Sequence, residues 1–408
     1  MTYLWLLLSN LCLVLVSSSV YDGYKELELA TKSRSAVENF RFAELARNDS
    51  FHGLYNKRGL GASARSTEET FAKLLDTIGI SYRLVNGDVG LTLGREIPYE
   101  GGLSTERYYT HSEINQYLED LAKRFPTRVF IKAAGKSYEG RWMKTITITN
   151  GDQRTNKNVI FIDGGIHARE WIAPAAALYA ISELVENFVA YHELLLDYDW
   201  VVLPVVNPDG YEYTQLSPDT RLWRKTRQPS SAECIGSDPN RNFDFHWNEG
   251  GSSSDPCSDT YGGPQALSEP EVVVLRDLLH TFSGRGKMYL TLHSYGNLIL
   301  YPWGWTPDLP ETVDDLHEVA TAGSEAIYAA TGTKYEIGSS TNVLYVAAGA
   351  SDDYAFHAGF PISFTMELPA GGPNDFDPPP SAIDSIVKET WVGIVAMAHK
   401  VVEKYPLE

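Results

Sequence analysis

The chain has 408 residues, too many for one small domain, and its composition is that of an ordinary globular protein, 43% hydrophobic and 21% charged. Lys and Arg number 34 against 53 Asp and Glu, a net charge of −19, which argues against nucleic acid or an anionic membrane as partner. An acidic surface suits cationic ligands, although solubility alone would account for it.

The N-terminal stretch "MTYLWLLLSNLCLVLVSSS" is an apolar run ending in small residues. It reads as a secretory signal peptide over residues 1–19, cleaved near Ser19, because it is too short to span a bilayer comfortably. Residues 20–107 carry a separate pattern. "YKELEL" alternates like a strand, Ser66 and Glu69 have capping-box spacing, and Phe71, Leu74, Leu75 and Ile78 make a helical stripe. "SYRLV" and "GLTL" flank an Asn86-Gly87 turn as short strands. A small α+β domain is expected here. The Gly/Pro-rich linker "GREIPYEGGLSTER" follows, with Arg95 and Arg107 open to a trypsin-like protease.

From residue 108 the pattern is α/β to the end of the chain. Thr110 and Glu113 form a second capping box ahead of Ile114, Tyr117, Leu118 and Leu121. "NVIFID", "DWVVLPVVN", "KMYLTLH" and "PISFTMEL" read as strands. "PAAALYAISELVENFV", "SEPEVVVLRDLLHTF" and residues 382–404 read as helices, the second with Ser268 and Glu271 at capping-box spacing. Strands alternating with helices predict a mixed, largely parallel sheet covered by helices on both faces. Cys12 falls in the leader. Cys234 and Cys257 are then the only mature cysteines, and a disulfide is expected in an oxidising compartment, stabilising by roughly 3 kcal/mol on a chain-entropy basis. The one N-x-S/T sequon is at Asn48.

The stretch "DGGIHAREWIA" places His167, Arg169 and Glu170 where a strand hands over to a helix. Ligands of open α/β sheets bind beyond the carboxyl ends of strands. An imidazole and a carboxylate three residues apart can face one centre, and such a pair suits zinc, which needs a third ligand. His293 ends the apolar strand "MYLTL" and is the natural candidate. A lone strand-end His is more often structural, and His246, His280, His317 and His399 are read that way. Neither H-E-x-x-H nor G-x-S-x-G occurs.

Seven stretches, "GIHAREW", "NPDGYEYT", "RLWRKTR", "DPNRNFDFHW", "LTLHSYGNLILYPWG", "SDDYAF" and "FTMELP", run in order through the α/β part. In them the chain resembles zinc metallocarboxypeptidases of the pancreatic A/B family in zymogen form. The resemblance covers residues 108–408 and extends more loosely to a prodomain over residues 20–107. It implies His167, Glu170 and His293 as zinc ligands and Glu367 as the catalytic carboxylate. Asp238 would orient a zinc histidine. Arg224 would stabilise the oxyanion, and Asn240 and Arg241 would grip the substrate's C-terminal carboxylate. Tyr345 would close over the bound end, with Arg169, Arg221 and Tyr295 lining the groove.

The same resemblance puts the floor of the specificity pocket at Asp352. An acid there implies B-type release of Lys or Arg; an apolar residue would imply A-type release of aromatic and aliphatic residues. Asp353 is the alternative carboxylate, and Ser340 and Gly304 border the pocket. The expectations are a secreted, monomeric exopeptidase that acts on peptide and protein C termini and is activated by a trypsin-like protease. A non-catalytic secreted relative and a zinc deacylase are the competing readings; the complete ligand and arginine set speaks against the first, and "NRN" with "SDDY" against the second.

Overall fold

The protein is described by a computed structural model that covers residues 103–407 and, upstream, the backbones of five strands. These are β1 (Leu11–Leu15), β2 (Lys25–Ala30), β3 (Phe51–Asn56), β4 (Gly59–Ala64) and β5 (Ser81–Asn86). They form their own sheet in the order β3-β4-β1-β2-β5. β2 and β5 correspond to the expected strands "YKELEL" and "SYRLV", and β1 falls in the apolar leader. The helix expected after Ser66, the strand "GLTL", the Asn48 sequon and Arg95 lie outside the described residues.

The second unit is built on an eight-stranded sheet. Its strands are β6 (Val129–Lys136), β7 (Trp142–Ile148), β8 (Asn158–Gly164), β9 (Tyr198–Leu203), β10 (Gly286–Ser294), β11 (Leu298–Tyr301), β12 (Glu336–Ser339) and β13 (Ile362–Leu368). The order is β12-β11-β13-β10-β8-β9-β7-β6. The central run β13-β10-β8-β9 is parallel, while β11/β13, β9/β7 and β7/β6 are antiparallel. Every residue of β8 is buried, as the apolar run Val159–Ile162 at its centre requires of a strand covered on both faces. Among the covering helices are α1 (His111–Arg124), α2 (Ile172–Val185), α3 (Pro208–Thr214), α4 (Pro270–Thr281), α5 (Val313–Thr331), α6 (Ser351–His357) and α7 (Pro380–Lys404). Phe161 and Tyr289 of the central strands pack with Val272, Leu275 and Leu279 of α4 and with Phe243 and Phe360 in one buried cluster. Among the described residues no single helix is long and apolar enough to cross a membrane.

The two expected capping boxes fare differently. Thr110 accepts from the Glu113 N–H, and Glu113 reaches back to the Thr110 N–H, so the box is complete. The Ser268–Glu271 box does not form. Pro270 takes the first helical position, which makes Glu269 the N-cap and moves the start by one residue. Glu271 bonds elsewhere instead. Its Oε1 accepts the Tyr138 N–H at 2.9 Å, while its Oε2 is buried without a partner among the described residues.

Burial pushes the Glu271 carboxyl up to about 7 from an ordinary 4.5, and the nearby Asp209 and Glu269 charges add to the effect. The folded chain therefore holds this proton more tightly than the unfolded chain does. Stability contributed by the neutral acid is complete below pH 4.5 and is lost as pH rises through 7, by an amount on the order of 2–3 kcal/mol. Glu271→Gln is accordingly expected to melt higher than the wild type at pH 8, with an advantage that shrinks toward pH 5. A difference independent of pH would show that Glu271 is ionised and satisfied in the folded protein.

Candidate active site

The parallel strands set the site. His293 of β10 lies in register with Glu367 of β13, so both side chains leave the same face near the carboxyl ends of adjacent strands. β8 ends beside them. Asp163 on β8 accepts from the Tyr289 and Thr291 hydroxyls of β10 at 2.6 and 2.7 Å, which ties the two strands together beneath the site. The chain then turns through Gly165 at φ 65°, where a Cβ would come within 3.0 Å of the Pro174 ring. This turn carries His167 and Glu170 over the end of β10.

Three candidate ligand atoms, one each from His167, Glu170 and His293, lie within 4.8 Å of one another, and all three residues are buried. The two imidazoles present Nδ1 to each other at 3.1 Å. Glu170 Oε1 is 2.8 Å from His167 Nδ1, and Oε2 is 3.0 Å from His293 Nδ1. Two ring nitrogens facing each other across a carboxylate cannot both present lone pairs without a cation between them, so the donor set fits a divalent metal with nitrogen and oxygen preference. Burial alone would raise the Glu170 carboxyl, but the two imidazoles outweigh it and hold the group far below its usual range. Burial opposes a charge on His293, yet Glu170 overrides it and raises that imidazole to about 9.

Asp238 joins this centre to the arginines. Its Oδ1 is 3.1 Å from His167 Nε2, the nitrogen turned away from the metal position. Its Oδ2 accepts from Arg224 Nε and Nη2 at 3.1 and 2.8 Å. Burial would raise this carboxyl, but Arg224 and His167 hold it well below the carboxylate range. The pairing leaves Arg224 Nη1 3.9 Å from Glu170 Oε1, beside the centre. Glu367 is raised to about 7, first by burial and then by the Glu170 charge, with His293 opposing. A carboxylate poised near neutrality suits a general base.

Asn240 and Arg241 follow in a short turn capped by Asp238, whose Oδ1 accepts the Asn240 N–H. The Asn240 carbonyl and the Gly251 carbonyl accept from Arg241 Nη1 and Nε, which fixes the plane of the guanidinium. Asn240 Oδ1 accepts the Ser351 N–H at 2.8 Å, which fixes the orientation of its side-chain amide. Tyr345 is half-exposed, its ring 5.8 Å from the Arg241 guanidinium carbon. Tyr295 packs edge-on against Phe376. Arg169 lies over the same Phe376 ring and pairs with Asp259. Arg221 is engaged more deeply than a groove-lining residue: it stacks on Trp171 at 3.8 Å and donates to the backbone oxygens of Arg169 and Phe376.

The two adjacent carboxylates differ in their duties. Both oxygens of Asp353 accept from the Gly304 N–H at 2.9 Å, and Oδ2 also takes the Trp305 N–H. Asp352 is buried, accepts from the Ser340 hydroxyl at 3.1 Å, and has no Lys or Arg at ion-pair distance among the described residues. Gly304 permits a close approach here: a Cβ there would lie 3.1 Å from the Ala347 carbonyl oxygen, 3.5 Å from Asp353 Oδ2 and 3.6 Å from Ser340 Cβ. Cys234 and Cys257 form the expected disulfide, with Cα atoms 5.1 Å apart. Among residues that sequence reasoning missed, Thr226 and Glu269 brace this segment. Buried Glu269 accepts from the Thr226 hydroxyl at 2.6 Å, and Thr226 pairs backbone to backbone with Ser237, one residue before Asp238. No local pattern in the sequence marked the pair.

The sequence profile of the zinc carboxypeptidase family matches residues 114–393. A carboxypeptidase B from Astacus astacus is 45% identical over 73% of this chain and 98% of its own length. A carboxypeptidase B from Helicoverpa zea is 38% identical over 97% of this chain and 98% of its own. Among solved structures, the carboxypeptidase A of Helicoverpa armigera is 32% identical and covers 95% of this chain and 100% of its own, with a TM-score of 0.73. Bovine thrombin-activatable fibrinolysis inhibitor, solved with a tick carboxypeptidase inhibitor, is 35% identical over 74% of this chain and 99% of its own, with a TM-score of 0.68.

Proposed function

The chain belongs to the zinc carboxypeptidase family and is a metallocarboxypeptidase, and from that premise we propose a B-type exopeptidase, secreted as a zymogen, that removes Lys or Arg from peptide C termini. The observation that carries the specificity is Asp352, a buried carboxylate that accepts from the Ser340 hydroxyl and has no Lys or Arg at ion-pair distance among the described residues. A guanidinium or ammonium would complete its bonding with charge-assisted hydrogen bonds. An apolar side chain would leave the carboxylate unpaired in a dry pocket, at a cost of about 1–3 kcal/mol or more. Asp353, already saturated by backbone N–H groups, is assigned the structural role.

In the productive complex Arg241 and Asn240 hold the substrate's terminal carboxylate, which internal residues lack, and Tyr345 covers it. His167, Glu170 and His293 would hold the zinc, which when bound would supply Lewis acidity and lower the pKa of water toward neutrality. Glu367 takes the proton of the attacking water and hands it to the leaving amine. Arg224 directs Nη1 at the oxygen on which negative charge develops, and Asp238 fixes both this guanidinium and the His167 ring.

The domain reading is leader 1–19, prodomain and linker 20–107, catalytic domain 108–408. The apolar N-terminus, the disulfide and the basic residues of the linker support secretion and proteolytic activation. Arg107 is held by Glu113 at 2.8 Å and lies over the Tyr109 ring, so a cut there needs this contact to open.

One assay tests both parts. Matched peptides ending in Arg and in Phe are compared on the precursor and after limited trypsin treatment, for the wild type and for Asp352→Ile. The treated wild type is expected to favour Arg by at least about a hundredfold in kcat/KM, and the variant to lose that preference. Preference for Phe would assign the A type. Arg preference surviving in Asp352→Ile would move the role to Asp353. Equal activity before and after trypsin would reject the zymogen.

A further inference from the structure

His246 takes no part in the zinc centre or the substrate grip, and it is one of six described non-glycine residues with positive φ. Its φ of 53° is left-handed, an uncommon place for a residue with a Cβ, and such strain persists only where the surroundings hold it. The hold is visible. The imidazole lies flat on the Trp305 indole, with ring centroids 3.6 Å apart and planes 5° from parallel. Its Nδ1 is 2.6 Å from Glu249 Oε2, and Phe245 meets the ring edge-on at 4.5 Å. The Trp305 indole N–H is buried with no acceptor among the described residues, so stacking and packing, not a hydrogen bond, orient that ring.

What the stack joins gives it meaning. On one side His246 opens a turn that closes at Glu249, two residues before Gly251, whose carbonyl accepts from Arg241 Nε at 3.2 Å. On the other side Trp305 follows Gly304, the pocket-wall residue whose N–H, with that of Trp305, is held by Asp353. The carboxylate grip and the specificity wall thus belong to different loops, and the stack is a contact between them outside the substrate site.

We propose that His246 is a positioning residue for substrate binding: by stacking on Trp305 it fixes the distance between the Arg241 guanidinium and the Gly304 wall, the span across which a substrate's terminal residue must fit. The inference rests on the assignment of Arg241 and Gly304 to the substrate's terminal residue. It places no demand on the zinc centre or on Glu367, which lie on or beside β10 and β13. Losing the stack should therefore weaken binding and spare turnover.

The test uses zinc-loaded, trypsin-treated enzyme with a peptide ending in whichever residue the wild type prefers. His246→Ala is expected to raise KM about tenfold with kcat within a factor of about two to three, because a small displacement of a positioning group is felt in substrate affinity. His246→Phe, which keeps a flat ring for Trp305, is expected to restore most of the KM. An unchanged KM in His246→Ala overturns the proposal. So does a parallel loss of kcat, or a failure of Phe to rescue in protein whose melting temperature equals that of the wild type. If the wild type prefers Phe over Arg, the B-type reading falls while this experiment still decides the role of His246.

Discussion

Replacing Glu367 with Gln is expected to lower kcat by about two to four orders of magnitude and to leave KM and zinc content near the wild-type values. The amide is nearly isosteric with the carboxylate and can sit in the same register opposite His293, but it cannot accept a proton from water and return one to the leaving amine. Steady-state kinetics on a peptide of the preferred class, with metal content measured on the same preparation, separate the two roles. Turnover near the wild-type rate would remove Glu367 from the chemistry. A large loss of zinc would mean that the carboxylate serves the metal site and not the substrate.

Removal of zinc is expected to abolish peptidase activity and to lower the melting temperature, both reversed by added Zn²⁺. The structural reason is the donor set: two Nδ1 atoms 3.1 Å apart and a buried carboxylate converge on one point, where a divalent cation would sit. Binding to the folded chain alone stabilises by about 4 kcal/mol at a thousandfold excess over Kd, so the thermal shift reports on the site independently of turnover. His293→Ala should erase the zinc-dependent part of that shift. A chelated protein with full activity, or a melting temperature indifferent to zinc in the wild type, would contradict the assignment of the three ligands.

The sequence made some of this architecture legible and hid the rest for identifiable reasons. Strands β8, β10 and β13 announce themselves as apolar runs because both their faces are covered, and the Thr110–Glu113 box marks its helix without error. Strands β6 and β7 escaped because one is largely exposed and the other only half-buried, so neither keeps a clean alternation. The Ser268–Glu271 spacing misled because Pro270 is better suited to the first helical position than Glu269, which spacing alone does not weigh. At the site, residues that touch the metal position stand in short motifs and can be read. The pair Thr226 and Glu269 lies 43 residues apart in the chain, and its bond exists only after folding. The difference between Asp352 and Asp353 was hidden for the same reason: only Asp353 accepts from the backbone N–H groups of Gly304 and Trp305, and no local pattern reveals those bonds.

The bond between Cys234 and Cys257 encloses Asp238, Asn240, Arg241 and Gly251 in one covalent ring, whereas His167, Glu170, His293 and Glu367 all lie outside it. A chain produced where thiols stay reduced would keep its three metal ligands on or beside the ordered sheet. The carboxylate grip would instead rest on a segment with its chain entropy restored, worth roughly 3 kcal/mol on the loop-closure estimate. Such a preparation would still bind zinc, less tightly where Asp238 no longer holds the His167 ring, and would need far more substrate to reach half its maximal rate. Metal stoichiometry would then overstate the fraction of competent enzyme, and titration with a ligand bearing a free carboxylate would be the better measure of quality.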